Sequence, residues 1–166
     1  MSELRKDPIV DRWVIVSDAA VRTPTIPKEG VFPSLGSVCP FCPGNEYLCP
    51  PEILGNRPEG SQPNDAHWRL RVVPNRSPIL VVEEDLKRMG EGLYDKISGV
   101  GANEVIIETP RHAVRQSQME QGELENVFWA YRDRVIDLKR DMRMRFVVIY
   151  KNYGRMAGAT LDHQYS

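Results

Sequence analysis

Neither sign of charge dominates this sequence. Its 22 Lys and Arg residues oppose 23 Asp and Glu, leaving a formal net charge of −1. That balance argues against a chain that holds nucleic acid through a broad basic surface, which needs a clear excess of Lys and Arg. No apolar run approaches the roughly 20 residues of a membrane-spanning helix, so no membrane role is expected. The first residues, MSELRKDPIVDRW, lack the apolar stretch of a secretory leader. Cysteine is scarce as well. Three cysteines cannot all pair, which argues against a disulfide framework. A cytoplasmic protein is the expectation. Internal repeats and low-complexity tracts are lacking too.

What remains is ordinary globular material. The 166 residues are 41 % hydrophobic and 27 % charged, enough for one sizeable core. WVIVS (13–17) reads as a short strand. Residues 18–66 are rich in Pro, Gly and Asn, as in CPFCPGNE and CPPEILGNRPEG. Irregular chain of that length needs something to tie it down. WRLRVVPN (68–75) reads as a strand running into a turn, PILVVEED (78–85) as a weaker strand, and GANEVIIETP (101–110) as a strand stopped by Pro110. Apolar residues at Leu124, Val127, Phe128, Tyr131, Val135, Leu138 and Met142 follow three-and-four spacing, which predicts a helix over 119–141. Ser117 and Glu120 offer a capping box just upstream. RFVVIYKN (145–152) is the most β-branched run and reads as a central strand. Strands followed by one helix and a further strand predict an α+β fold.

Three stretches and three scattered histidines carry residues suited to chemistry. In CPFC, Cys39 and Cys42 can grip one tetrahedral metal ion from a single turn, with Zn–S near 2.3 Å. A redox pair usually lies between a strand and a helix start. Here Pro40, Pro43 and Gly44 surround the cysteines, which favours a zinc knuckle. Cys49 has no partner at ligand spacing and reads as a small apolar residue. Zinc needs two more ligands, and any two of His67, His112 and His163 can supply them; spacing does not choose among the pairs. In NYGRMAGAT (152–160), Gly154, Gly158 and Ala159 let a backbone approach a phosphate closely. In VVPNRSP (72–78), Asn75 can bond a base or ribose and Arg76 a phosphate, although a decorated proline turn explains the same residues.

Taken in order, DPIVDRWVIVS, CPFCPGNE, VVPNRSP, GANEVIIETPRH and KNYGRMAGATLDH resemble the galactose-1-phosphate uridylyltransferase family, the transferase branch of the histidine-triad superfamily. The resemblance runs over essentially the whole chain. It implies a histidine-triad-like antiparallel sheet packed with helices and a zinc-stapled loop, in a dimeric enzyme of galactose and wider carbohydrate metabolism. Such enzymes move uridylyl from UDP-glucose to galactose 1-phosphate through a nucleotidyl-histidine intermediate. Carried over by position, the resemblance implies a structural zinc on Cys39, Cys42, His112 and His163, leaving His67 out. Asn75 and Asn152 fall on nucleotide contacts, beside Arg76. Gly158, Ala159 and Thr160 fall on the turn that wraps the phosphates.

Three departures qualify what the resemblance implies. Tyr165 stands where the family's His-x-His-x-Gln motif places its nucleophile. A tyrosine hydroxyl ordinarily titrates near pH 10, so only about 0.1 % is phenolate at pH 7. The second half of the family's chain is not present, so residues 1–166 are expected to form an N-terminal uridylyltransferase domain. The basic pair after the first strand is reduced to Arg22. The alternative reading is a zinc-stapled nucleotide-binding module with little turnover, or a related phosphorylase or adenylyltransferase.

Overall fold

A computed structural model describes residues 2–17 and 38–166. Arg22 lies outside the described residues. Among the described residues the strands and α-helix are, in chain order, β1 (Ser2–Lys6), β2 (Trp13–Ser17), β3 (Leu54–Asn56), β4 (Leu70–Pro74), β5 (Arg88–Glu91), β6 (Tyr94–Ser98), β7 (Glu104–Ile107) and one α-helix, α1 (Gln121–Leu138). The named strands pair only in antiparallel fashion, so the fold is α+β. The chain divides into two units.

In the first unit, residues 2–17 and 77–103, the four strands run in the order β2-β1-β6-β5. β5 and β6 form a hairpin in which Glu91 faces Tyr94 across the two-residue turn Gly92-Leu93. Gly92 has φ +60°, which a glycine at the first turn position accepts without strain. The expected strand over 78–85 does not form. Val81 makes only an isolated parallel bridge to Val100. Pro78 and the acidic run Glu83-Glu84-Asp85 suit a strand poorly.

In the second unit, residues 38–76 and 104–166, a three-stranded sheet has the order β3-β4-β7. Its two faces follow the strand period of two. Leu70, Val72 and Ile106 point to one face and pack with Met119, Val127 and Ala130 beneath α1. Val73 and Ile107 point to the other face and pack with Trp68, Phe41 and Cys49. Burying each such Val, Leu or Ile contributes about 1.5–3 kcal/mol. Beyond β7, the chain at 164–166 adds to the free edge. Ile106 and Ser166 exchange both backbone hydrogen bonds, at 2.9 and 3.0 Å, and Tyr165 faces Ile107.

Helix α1 is shorter than the sequence pattern, and its buried stripe is rotated. Val127, Ala130 and Arg134 are buried, whereas Phe128 is 61 % and Met142 83 % exposed. Arg134 turns the helix inward by a bidentate pair with Glu104 at the start of β7, with both N···O distances 2.7 Å. The helix begins on a different cap from the one expected. Gln116–Gln118 form a 3-10 turn, and the Glu123 carboxylate accepts the Glu120 amide at 2.9 Å. The run at 145–152 is the other correction. It has no regular structure and lies outside both sheets, with Phe146 91 %, Val148 77 % and Tyr150 60 % exposed. β-branched composition favours a strand, but a strand also needs a partner ladder, and none forms here among the described residues.

Candidate functional site

The two sheet faces place the site. Along 163–166, His163 and Tyr165 share the face that carries Trp68 and Ile107, while Ser166 turns toward α1. The CPFC turn packs on that same face. Its backbone closes with the Cys42 amide donating to Cys39 O at 3.2 Å, and the Asn45 side chain donates to the same carbonyl at 2.8 Å. Gly44, at φ +91°, takes the left-handed conformation that ends the turn. Buried Glu46 braces it from below, accepting the Gly44 amide at 2.9 Å and the Trp68 indole N–H at 2.7 Å.

The ligating atoms of Cys39, Cys42, His112 and His163 all lie within 4.8 Å of one another. Cys39 Sγ is 3.6 Å from His163 Nδ1. Cys42 Sγ is 3.3 Å from His112 Nδ1 and 3.7 Å from His163 Nδ1. Two ligands sharing a tetrahedral zinc, at about 2.3 Å for sulfur and about 2.0–2.1 Å for nitrogen, stand about 3.6 Å apart. The donor set therefore fits a tetrahedral ion of that size. His163 supplies a further indication. Its Nε2 lies 2.6 Å from Thr109 O. A carbonyl only accepts, so Nε2 carries the proton and the Nδ1 lone pair faces the sulfurs, the outer-shell arrangement usual for a metal-bound histidine. Burial holds the His163 imidazole below its ordinary pKa, with Thr109 opposing and His112 adding to the shift. Burial also pushes the Cys42 thiol up to about 11, helped by Cys39. An ion must displace that proton, so metal and protons compete here.

His67 lies elsewhere, exposed beside Asp65. Cys49 also stays outside the group. It packs with the Trp68 cluster and its thiol donates to Pro40 O at 3.3 Å.

Next to His163 opens a cavity of about 280 Å³, whose lining includes Arg115, Lys151, Asn152, Gly154, Asp162 and Tyr165. Two cationic side chains thus share it with one acid. Thr160 reaches Tyr165, its amide donating to the Tyr165 hydroxyl oxygen at 3.2 Å. Gly158, at φ +88°, stands by Asn152. The Ala159 amide is committed to Gly154 O at 3.1 Å. Asn75 and Arg76 follow β4 and do not line this cavity. Gln164 Oε1 is buried with no hydrogen-bond partner among the described residues.

Sequence reasoning missed one group. Glu108 is 1 % exposed and receives the Tyr131 hydroxyl at 3.0 Å, the Ser166 hydroxyl and the Lys151 ammonium. Lys151 so links the cavity to a carboxylate buried under α1. The available signal was an acid ending an apolar strand, in VIIETP, with a lysine just before Asn152. The Tyr131 hydroxyl is raised above its usual pKa, chiefly by burial.

No family model matches the chain. It is 34 % identical to an ADP-glucose phosphorylase of Arabidopsis thaliana, over 99 % of this chain and 47 % of that protein. A galactose-1-phosphate uridylyltransferase of Thermotoga maritima is 29 % identical over 98 % of this chain and 44 % of its own. Among solved structures, the Arabidopsis thaliana ADP-glucose phosphorylase with bound ADP-glucose superposes with a TM-score of 0.54 at 30 % identity, covering 99 % of this chain and 47 % of that one. A uridylyltransferase structure gives 0.59 at 27 % identity, covering 98 % and 43 %. The chain spans about half the length of the curated relatives it matches. Over nearly its whole length it is similar to proteins of those two names, an ADP-glucose phosphorylase and galactose-1-phosphate uridylyltransferases.

Proposed function

We propose that this chain is the zinc-stapled, nucleotide-binding N-terminal part of a cytoplasmic, dimeric enzyme that transfers a nucleotidyl group between a nucleoside-diphosphate sugar and a hexose 1-phosphate or phosphate. The observation that carries the reading is the side-by-side placement of the four-ligand group and the cationic cavity on one sheet edge. Zinc held by Cys39, Cys42, His112 and His163 has four protein ligands and no open position, so it supplies structure and not Lewis-acid chemistry. Arg115, and Lys151 from its pair with Glu108, line the cavity where charge shifts onto the leaving diphosphate oxygen as the bond breaks. Asn152 orients the nucleotide from the cavity wall, while the turn at 158–160, Asn75 and Arg76, which lie outside that lining, meet the parts of the nucleotide that extend beyond it.

The substrate pair stays open between two chemistries. Uridylyl exchange between UDP-glucose and galactose 1-phosphate through a covalent intermediate follows the sequence motifs. Phosphorolysis of ADP-glucose is favoured by the 34 % identity to a protein of that name. A third outcome is a binding module without turnover, because tyrosine replaces the motif's nucleophile at 165.

One experiment separates them. The protein is incubated with UDP-glucose or ADP-glucose labelled in the phosphate attached to the nucleoside. Label trapped on protein and chased by galactose 1-phosphate supports the transferase. Label released as ADP only when inorganic phosphate is added supports the phosphorylase. Saturable binding with neither event favours the module, and no binding at all sinks the proposal. Elemental analysis should find about one zinc per chain.

A further inference from the structure

We infer that Tyr165 is a latch on the glycine turn, whose hydroxyl oxygen competes with a nucleotide's phosphate oxygen for the Thr160 amide. The identity of the ligand rests on the function proposed above; the latch itself rests on geometry. In the turn, the amides of Ala157 and Ala159 both donate to Gly154 O at 3.1 Å. The Thr160 amide instead leaves the turn and donates to Tyr165 Oη at 3.2 Å. Thr160 Oγ1 stands 3.3 Å from the same oxygen. A phenol oxygen offers two lone pairs and one proton. One residue of the turn therefore engages most of what Tyr165 can offer at its tip.

The two ends of this side chain are held unequally. The backbone at Tyr165 is fixed against Ile107. Its ring meets the edge of Phe41, centroids 5.4 Å apart at 69°, and Phe41 lies between the two metal-ligating cysteines. The tip contacts of 3.2 and 3.3 Å are at the long end of hydrogen bonding. A firmly rooted ring with a weakly held tip suits release when a better acceptor arrives. A phosphate oxygen is one, since charged acceptors make hydrogen bonds about twice as strong as neutral ones. While the contact lasts, the hydroxyl is engaged by the turn and is not free to act as a nucleophile.

The test uses the full-length protein, Tyr165→Phe and Thr160→Val. Phenylalanine keeps the ring against Phe41 and deletes the oxygen. Titration calorimetry with UDP, ADP and inorganic pyrophosphate should show Tyr165→Phe binding about two- to tenfold tighter than wild type, the worth of one net hydrogen bond. In the ligand-free protein, the Thr160 amide should exchange with solvent faster in that variant, as read by NMR. Thr160→Val keeps the amide and should move affinity less than Tyr165→Phe. Equal or weaker binding by Tyr165→Phe overturns the latch and leaves the nucleotide reading standing. No binding by either protein overturns both. Nucleotide found covalently on Tyr165 by mass spectrometry also overturns it.

Discussion

Stripping the proposed zinc from Cys39, Cys42, His112 and His163 should lower the melting temperature by about 10–20 °C. The magnitude follows from chain entropy. The contacts at the site join residues 124 apart, Cys39 to His163, and 70 apart, Cys42 to His112. Closing loops of those lengths removes about 5 and about 4 kcal/mol of unfolded-state entropy, respectively, by the treatment used for covalent cross-links. The loops are nested and share chain, so only the larger is counted, about 5 kcal/mol. A domain of this size loses about 2–4 °C per kcal/mol. The assay is calorimetry on native protein, on protein dialysed against a strong chelator, and on the chelated sample reloaded with zinc. His163→Ala should match the chelated sample, and His67→Ala should match the native one, because His67 lies outside the group. A shift below about 3 °C with metal loss verified would refute the reasoning, as would equal melting of His163→Ala and His67→Ala.

Lys151→Met leaves the Glu108 carboxylate buried without its cation, and urea denaturation should register a loss of about 3–5 kcal/mol. Adding Glu108→Gln should restore most of it; a purely additive double variant would show that the two side chains are not coupled. Glu46→Ala orphans the Trp68 indole N–H and the Gly44 amide, each costing about 1–3 kcal/mol. It should also speed zinc capture by a coloured chelator, and an unchanged release rate would remove Glu46 as the brace of the knuckle. Because burial holds His163 below its ordinary pKa, the folded state binds fewer protons than the unfolded one below about pH 6.5. Metal-free protein should therefore lose stability as pH falls through that value, and His163→Asn should flatten the profile; a flat wild-type profile would contradict the burial argument.

The parts of this molecule legible in the sequence are those fixed by local pattern. β2 and β4, the strand ending before Pro110 and the existence of α1 follow from alternation, proline and helical spacing. The ligand group needed more. CPFC announced itself by spacing, but the choice among three histidines depended on which strand ends meet, a long-range fact that only the family resemblance carried. The β5–β6 hairpin was missed because RMGEGLYDKIS is polar and mostly exposed, so no core face prints an alternation on it. Arg134 went unread because a charged residue on a buried stripe is intelligible only beside Glu104. FVVIY misled for the opposite reason. Its composition is that of a strand, while strand formation is a property of two neighbours.

That segment has a practical side. Five consecutive residues, Phe146 to Tyr150, carry no charge, no proline and no glycine, and three of them stand well out in solvent. Such a window is a template on which identical chains stack. Concentrating this polypeptide should therefore be limited by filament-like association rather than by unfolding. A single lysine at Val148, the middle of the exposed row, would act as a gatekeeper without touching the metal group or the cavity.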